Sequence, residues 1–292
     1  VAMARPHPLL LTLRWIAIVV ASIIALFPIY WMVTMAFKPR IEWTSATGKV
    51  YWWPENPTLD NFRSVFVVSA PASGLTVGTE TTVVGPLVNS LIAGVGGTLL
   101  AVAVGTLCAY GISRYAAGGT RLPFSILQLR MFPPIAIMVP VVIQWSALKL
   151  IDKWYGLVLI YGVVTFPFAV WLMKSFFDDI PRELDEAAVV DGASNWGAFR
   201  KVVLPLAKGG LATTALFIFI LNWSDFLVAF LLTTKDMITI PVFLNKLVSS
   251  QTGQQFGPQA AVGVIAAIPP VIFGVLIQRY LVRGLTFGAI KR

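Results

Sequence analysis

Two ionisable side chains, those of Arg130 and Asp225, lie inside otherwise apolar segments of the chain. Such groups are candidates for binding a solute or a proton, because an unpaired charge is unfavourable in apolar surroundings. Asp225 either lines a pathway and binds a hydroxylated solute, or forms a structural hydrogen bond that caps a helix break beside Asn222. A direct pair with Arg130 is disfavoured, because helical rise separates the two residues by about 12 Å in depth. Asn89 and Gln144 are further polar candidates, of a kind that more often joins neighbouring helices.

Other site chemistries are excluded by the residue types present. The single cysteine, Cys108, allows no intrachain disulfide, and with the single histidine, His7, it is too few for a His/Cys metal cluster. The chain has no G-x-x-x-x-G-K-[ST] motif, so it cannot cradle ATP phosphates in a P-loop. It has no nucleophile–base–acid set and no basic stripe with interleaved aromatic residues. We therefore expect a non-catalytic chain without a metal or a cofactor of its own and without a nucleic-acid partner.

Composition indicates a membrane protein. The 292 residues are 57% hydrophobic and 12% charged, and a soluble domain carries about twice that share of charge. Six apolar segments are each long enough to cross about 30 Å of hydrocarbon as a helix. The sequence therefore predicts an all-α, polytopic membrane protein with six transmembrane helices. The predicted spans are 15–37, 83–113, 122–148, 154–173, 209–234 and 256–278.

The distribution of basic residues predicts the orientation. With both termini in the cytoplasm, the inner segments hold 13 Lys and Arg residues and the outer segments hold 8, while each set holds 6 acidic residues. The positive-inside rule then favours cytoplasmic tails at 1–14 and 279–292. The first apolar segment is too long for a cleavable signal peptide and lacks a small-x-small exit. The outer segment 38–82 is rich in proline and is expected to form an irregular cap with one short helix around 59–67.

The inner segment 174–208 is the longest polar stretch on the cytoplasmic side, and its first half has helix signals. Asp178 and Asp179 favour a helix N-terminus, and Pro181 suits the first turn. Gly192 suits a left-handed C-terminal stop. The sequence thus predicts a short helix that ends at this glycine.

A second short helix is predicted after the glycine. Ser194 or Asn195 can cap its start, and the helix is expected to run to about Val203, because Pro205 opposes continuation. Three apolar residues share one face of this helix: Trp196, Phe199 and Val203. Exposed apolar residues on a polar loop are typical of a surface that binds a partner.

The inner segment resembles the EAA loop of importer-type ABC transporter permeases. The resemblance rests on Glu186-Ala187-Ala188, Gly192 and Val202-x-Leu204-Pro205, and it extends to Asp191, Ala193, Phe199 and Leu206. The tail from Gln278 to Ala289 is similar to the C-terminus of carbohydrate-importer permeases of the maltose-permease-G type. Asn222-Trp223-Ser224-Asp225-Phe226 resembles the family's motif in the fifth span, with serine where asparagine is frequent. Arg130-Met131-x-Pro133-Pro134 is similar to members that handle sugars and polyols.

The resemblance implies a type I ABC importer permease fold in a bacterial or archaeal inner membrane. It implies a heterodimer with a second permease subunit, two ATP-binding subunits that hold ATP and Mg, and an extracytoplasmic substrate-binding protein. The residues that it assigns to ATPase coupling are Glu186, Ala187, Ala188, Asp191, Gly192, Ala193, Phe199, Leu204 and Pro205. A second ATPase contact is implied at Leu285, Thr286 and Gly288. The candidate translocation pathway comprises Asn89, Arg130, Gln144, Asn222 and Asp225.

The expected function is transport of a sugar, a polyol or a similar small hydroxylated solute, driven by the partner ATPase subunits. An alternative within membrane proteins is an ion-coupled secondary transporter that uses Asp225 as its coupling carboxylate. Six spans are few for that class, and the two halves of the chain show no obvious repeat. A membrane scaffold without transport is a more distant alternative.

Overall fold

The computed structural model describes residues 8–44, 48–67, 82–119, 121–129, 131–249 and 253–288. Its secondary structure is helical apart from a two-residue antiparallel hairpin, which confirms the predicted all-α class. The helices are α1 Pro8–Ala36, α2 Asp60–Phe66, α3 Val84–Tyr115, α4 Arg121–Gln128, α5 Pro134–Ala147, α6 Trp154–Asp178, α7 Glu183–Val190, α8 Asn195–Ala198, α9 Leu204–Leu206, α10 Lys208–Trp223, α11 Leu227–Leu232, α12 Ile240–Lys246 and α13 Phe256–Gly288. The hairpin pairs β1 Val248–Ser249 with β2 Gly253–Gln254.

Within the described residues, four helices are long and apolar enough to cross a membrane, namely α1, α3, α6 and α13. A fifth span results if the bent pair Asn195–Leu206 and Lys208–Trp223 is counted as one. The last span contains Pro269 and Pro270, and α13 continues through both without a break. It also extends ten residues beyond the predicted end at 278, into the predicted C-terminal tail.

The third apolar segment is not the single helix predicted over 122–148. It forms two shorter helices, α4 and α5, with a break before Pro134. Pro133 has an extended backbone at the N-cap of α5, and neither Pro133 nor Pro134 has an N–H to continue the hydrogen-bond ladder of α4. The proline pair therefore sets the start of α5, after α4 has already ended at Gln128.

The fifth apolar segment is interrupted as well. The predicted span 209–234 is divided into α10 and α11, with three residues outside either helix at Ser224–Phe226. Ser224 donates its hydroxyl to the Ile220 carbonyl at 2.7 Å, which satisfies an acceptor in the last turn of α10. The interruption places Asn222 in the last turn of α10 and Asp225 just before α11.

The chain forms two units, one of residues 1–82 with 246–265 and one of residues 83–245 with 266–292. In the second unit, α3 and α6 approach closely because small residues line α3 at every fourth position. A Cβ added to Gly97 would lie 2.6 Å from the Cβ of Tyr161, and one added to Gly105 would lie 2.4 Å from the Cβ of Ala169. Neither position therefore has room for a larger residue.

The first unit joins the end of α1 to the outer segment. Lys38 is buried, with its amine bonded to the Tyr51 carbonyl and 4.0 Å from the centre of the Trp31 ring. Asn61, on α2, donates to the carbonyls of Ala36 and Lys38 at 2.9 and 2.8 Å. The short helix expected around 59–67 is thus present and is held against the C-terminus of α1.

Candidate coupling site

The polar segment after α6 folds as two helical pieces joined by a tight turn. Gly192 adopts a left-handed conformation with φ of +90°, as predicted, which residues other than glycine adopt only with strain. Its N–H donates to the Val189 carbonyl at 3.0 Å, and the next N–H, of Ala193, donates to the Ala188 carbonyl at 3.0 Å. Ser194 then caps α8, because its hydroxyl accepts the Gly197 N–H at 3.1 Å.

The start of the first piece differs from the prediction. Asp178 and Asp179 do not begin a new helix; α6 runs to Asp178, five residues beyond the predicted end of the span, and α7 begins only at Glu183. Lys174 pairs with Asp178 at 2.5 Å one turn apart, and this pair stabilises the last turn of α6. The expected helix N-terminus at these two aspartates is therefore wrong.

The second piece also continues past the predicted stop at Pro205. Residues Phe199–Val203 form a π-helical turn, and the helix then includes Pro205 before it ends at Leu206. A wider turn accommodates a residue without an N–H, because the hydrogen bonds shift by one position. The axis then bends by 74° into α10.

The three apolar residues that were expected on one exposed face differ in their burial. Phe199 and Val203 are buried, and only Trp196, 59% exposed, lies on the surface. The Phe199 ring lies 4.6 Å from the Tyr110 ring, centre to centre, and also contacts Phe177. Phe199 therefore anchors the loop to α3 and α6, which corrects the expectation that it is exposed. The helical spacing predicted that the three residues share one face, but it did not predict that the helix bundle covers two of them.

α7 is the most accessible part of the loop and contains no buried residue. Ala188 and Ala193 are half-buried, as is Leu204, whereas Pro205 is exposed. We define the coupling face as the exposed residues Glu186, Ala187, Val190, Asp191 and Trp196. Val190 is 85% exposed, so this face combines apolar side chains with two carboxylates. A surface of this composition is suited to bind a protein partner.

Sequence reasoning missed the residues that hold α7 in place. Arg114, in the last turn of α3, forms a buried ion pair with Asp185 of α7. Beside this pair lies a cavity of about 410 Å³ whose lining includes Tyr110, Glu186 and Asn195. A basic residue at the end of an apolar segment is an ordinary sign of a membrane boundary, and nothing in the sequence indicated its partner.

Two candidate pathway residues lie at the break in the fifth segment. The Asp225 carboxylate accepts the N–H groups of Val228 and Ala229 at 3.0 and 3.3 Å, and the Tyr161 hydroxyl lies 3.4 Å from the same oxygen. Asp225 thus has the geometry of an N-terminal cap for α11. Asn222 is buried, and its amide donates to the Thr98 hydroxyl at 3.3 Å.

Two of the remaining pathway candidates, Asn89 and Gln144, lie elsewhere in the described structure. Asn89 donates to the carbonyls of Asp236 and Ile238 at 2.8 and 3.0 Å. Gln144 is exposed on α5. Arg130 lies outside the described residues, so its expected separation from Asp225 stays a prediction.

A second polar cluster was also missed, at the turn between α5 and α6. The Asp152 carboxylate accepts the N–H groups of four consecutive residues, Thr234 to Met237, at 2.9 to 3.1 Å, and its own N–H donates to Leu232. Burial disfavours ionisation, but these donors outweigh it and hold the pKa of Asp152 well below its usual range. The cluster joins the turn before α6 to the turn after α11.

The proposed C-terminal contact lies at the end of α13. Leu285, Thr286 and Gly288 belong to the last turns of that helix. Their role in contacting a partner stays a prediction.

The helices of membrane length and the exposed two-piece loop are those of a polytopic membrane protein. The chain belongs to the family described as the inner membrane component of binding-protein-dependent transport systems, whose model matches residues 101–287. It is therefore a non-catalytic, multi-pass permease subunit, and ATP is bound by the partner ATPase in this class. The expected permease fold and inner-membrane location are confirmed at this level.

Two relatives support the assignment, and one solved structure shares the fold. The chain is 37% identical to the trehalose transport system permease protein SugB of Mycobacterium tuberculosis, over 91% of this chain and 93% of that one. It is 32% identical to the trehalose/maltose transport system permease protein MalG of Thermococcus litoralis, over 94% and 95% of the two chains. A subunit of a bacterial ABC transporter involved in alginate import has the same fold, with a TM-score of 0.74 and 21% identity over 95% of this chain and 98% of that one.

Proposed function

We propose that this chain is the permease subunit of an ATP-driven importer of a sugar, a polyol or a similar small hydroxylated solute. The named relatives transport trehalose or maltose, and this supports the solute class. The observation that carries the coupling role is α7, an exposed helix without a buried residue beside a buried anchor at Phe199. Such an element offers its surface to a partner while the adjoining chain stays attached to the bundle.

The coupling mechanism follows from this arrangement. An ATPase subunit that binds the coupling face moves the loop when the ATPase pair closes. Because α6 precedes the loop and α10 follows it, the movement reaches two bundle helices directly. Alternation between outward and inward access then depends on ATP binding and hydrolysis at the partner subunits.

The assembly requires further subunits and a defined orientation. The complex contains a second permease subunit, two ATP-binding subunits and an extracytoplasmic substrate-binding protein. Both tails, 1–14 and 279–292, and the loop 174–208 lie in the cytoplasm, within a six-span domain over 15–278. The last turns of α13 make a second ATPase contact at Leu285, Thr286 and Gly288.

The geometry of Asp225 gives no specific support to ion coupling. Its carboxylate oxygen accepts two backbone N–H groups at the start of α11, as a structural cap does. Because an asparagine side chain also caps helices, Asp225→Asn retains this role but cannot carry a proton. The two transport classes therefore respond differently to the substitution.

Uptake by the whole complex, reconstituted in proteoliposomes with its binding protein, tests the proposal. A thermal-shift screen of the binding protein against sugars and polyols first selects the solute. We expect uptake that requires ATP, continues in the presence of a proton uncoupler and is retained by Asp225→Asn. Uptake that is independent of ATP, or that both the uncoupler and Asp225→Asn abolish, contradicts it.

A further inference from the structure

A buried arginine links α7 to the ends of two bundle helices. The Arg114 side chain is 5% exposed, and its Nε faces the carboxylate of Asp185 on α7. The Asp185 side chain is 14% exposed. The two terminal nitrogens donate to the carbonyls of Phe177 and Ile180, at 2.9 and 3.0 Å, at the end of α6. One guanidinium on α3 therefore contacts both α7 and the end of α6.

A second set of polar contacts joins the same turn of α3 to both neighbours. Arg182, which immediately precedes α7, donates to the Ser113 carbonyl at 2.8 Å. The Ser113 hydroxyl donates to the Asp178 carboxylate at 2.6 Å, at the last residue of α6. The end of α3 thus binds the chain on both sides of the connection that leads into α7.

These contacts matter because apolar packing does not hold α7. None of its apolar residues is buried, whereas the following piece of the loop is anchored by Phe199 and Val203. The Arg114 guanidinium is planar and presents its donors in a fixed arrangement, so it fixes direction as well as distance. A buried ion pair also tolerates poorly the loss of one partner, because the other charge is left uncompensated.

We propose that Arg114 is a positioning residue for energy coupling, which makes α7 and the ends of α3 and α6 move as one body. The inference rests on the proposed function, because α7 must be the ATPase contact for its movement to drive transport. When the ATPase displaces α7, the guanidinium passes the displacement to α3 and α6. Without it, the connection at residues 179–182 bends, and ATP hydrolysis proceeds without a matching change in the bundle.

The test is the number of solute molecules imported per ATP hydrolysed by the whole complex in proteoliposomes. Asp185→Asn is nearly isosteric and removes the one negative charge of α7 that pairs with Arg114, while leaving both carbonyl contacts of Arg114. We expect its ATPase subunits to co-purify and to hydrolyse ATP, and the transport ratio to fall about tenfold, within the usual range of coupling between sites. A purely structural role changes the amount of folded complex and leaves this ratio unchanged.

A second variant keeps the inference testable if the single substitution unfolds the protein. Arg114→Met with Asp185→Leu replaces the ion pair by apolar groups, which often retain the stability of the original pair. We expect a folded complex with a similarly low ratio. Arg63→Met is the control, because it breaks an exposed ion pair with Asp60 on α2 and lies outside α3, α6 and α7; its ratio should equal that of the wild type.

The outcomes separate this inference from the proposed function. Wild-type ratios in both Asp185→Asn and the double variant, with normal ATP hydrolysis, overturn the role of Arg114 and leave the proposed function intact. If ATPase subunits fail to associate even with the wild-type chain, the proposed function itself is contradicted, and the inference falls with it.

Discussion

At the scale of single residues, the carboxylates of this chain serve structure in ways that their positions in the sequence do not reveal. Asp225 stood out because it is charged within an apolar segment, yet its oxygen caps α11. Asp152 did not stand out, yet it accepts four consecutive backbone N–H groups. The local charge pattern identifies candidates, whereas the donors that surround each carboxylate come from distant parts of the chain.

Asp152→Asn is expected to lower the free energy of unfolding by about 2 kcal/mol at neutral pH, because an amide oxygen cannot satisfy all the donors that the carboxylate satisfies. The pKa of Asp152 is lowered in the folded state, so its contribution is present above the unfolded pKa of about 3.9 and is lost as pH falls through the folded pKa. Unfolding of the purified protein, followed from pH 8 to pH 3, measures the difference at neutral pH and the onset of its loss below the unfolded pKa.

The neighbouring Asp236 provides the control for this prediction. Its side chain is exposed, so Asp236→Asn should leave the unfolding free energy unchanged across the same pH range. A variant at Asp152 that matches the wild type at neutral pH would show that the backbone donors find equivalent partners without the carboxylate.

At the scale of elements, composition predicted the apolar segments, while single residues within them indicated where two of the helices are interrupted. Six apolar segments were visible because the bilayer requires about 20 apolar residues per span. The break before Pro134 followed from a visible proline pair, although the segment was read as one span. The interruption at Ser224–Phe226 depends on a side-chain cap and on contacts across the bundle, which periodicity does not encode.

In the inner segment 174–208, too, some features were predictable from the sequence and others were not. Gly192 and Ser194 were identified from the sequence because a left-handed turn and a helix cap each restrict the residue type. The burial of Phe199 depends on Tyr110 and Phe177, which belong to other helices, so no local pattern indicated it.

Two aromatic residues of this loop should respond in opposite ways to truncation. Phe199→Ala removes a buried ring and is expected to cost about 3–5 kcal/mol of stability, because it leaves a cavity between the loop and the bundle. Trp196→Ala removes an exposed ring and should leave thermal stability nearly unchanged while weakening the association with the ATPase subunits. Thermal unfolding and co-purification from the membrane measure the two effects.

The comparison of the two variants is its own control, because the residues lie one turn apart on the same loop. Equal loss of stability in both variants would mean that Trp196 is covered by the protein itself. Unchanged ATPase association in Trp196→Ala would remove this residue from the coupling face.

At the scale of the whole molecule, the division of labour explains the absence of a P-loop from the sequence. The permease supplies the membrane passage and the coupling face, and the ATP-binding subunits supply the energy. The central claim is that the exposed face of α7 is where these two parts meet. This meeting point is a contact with another chain, so it is tested on the complete complex.

Site-directed crosslinking tests that contact most directly. Ala187→Cys, introduced with Cys108→Ser, places a single thiol on the exposed face of α7, and Thr234→Cys in the same background places one on the exposed turn after α11 as a control. A thiol-to-lysine crosslinker is then applied to the complete complex in membranes, with and without ATP. We predict a crosslinked product between Cys at position 187 and an ATP-binding subunit, sensitive to ATP, and none from position 234. The absence of that product, in a complex that still transports its solute, would contradict the account.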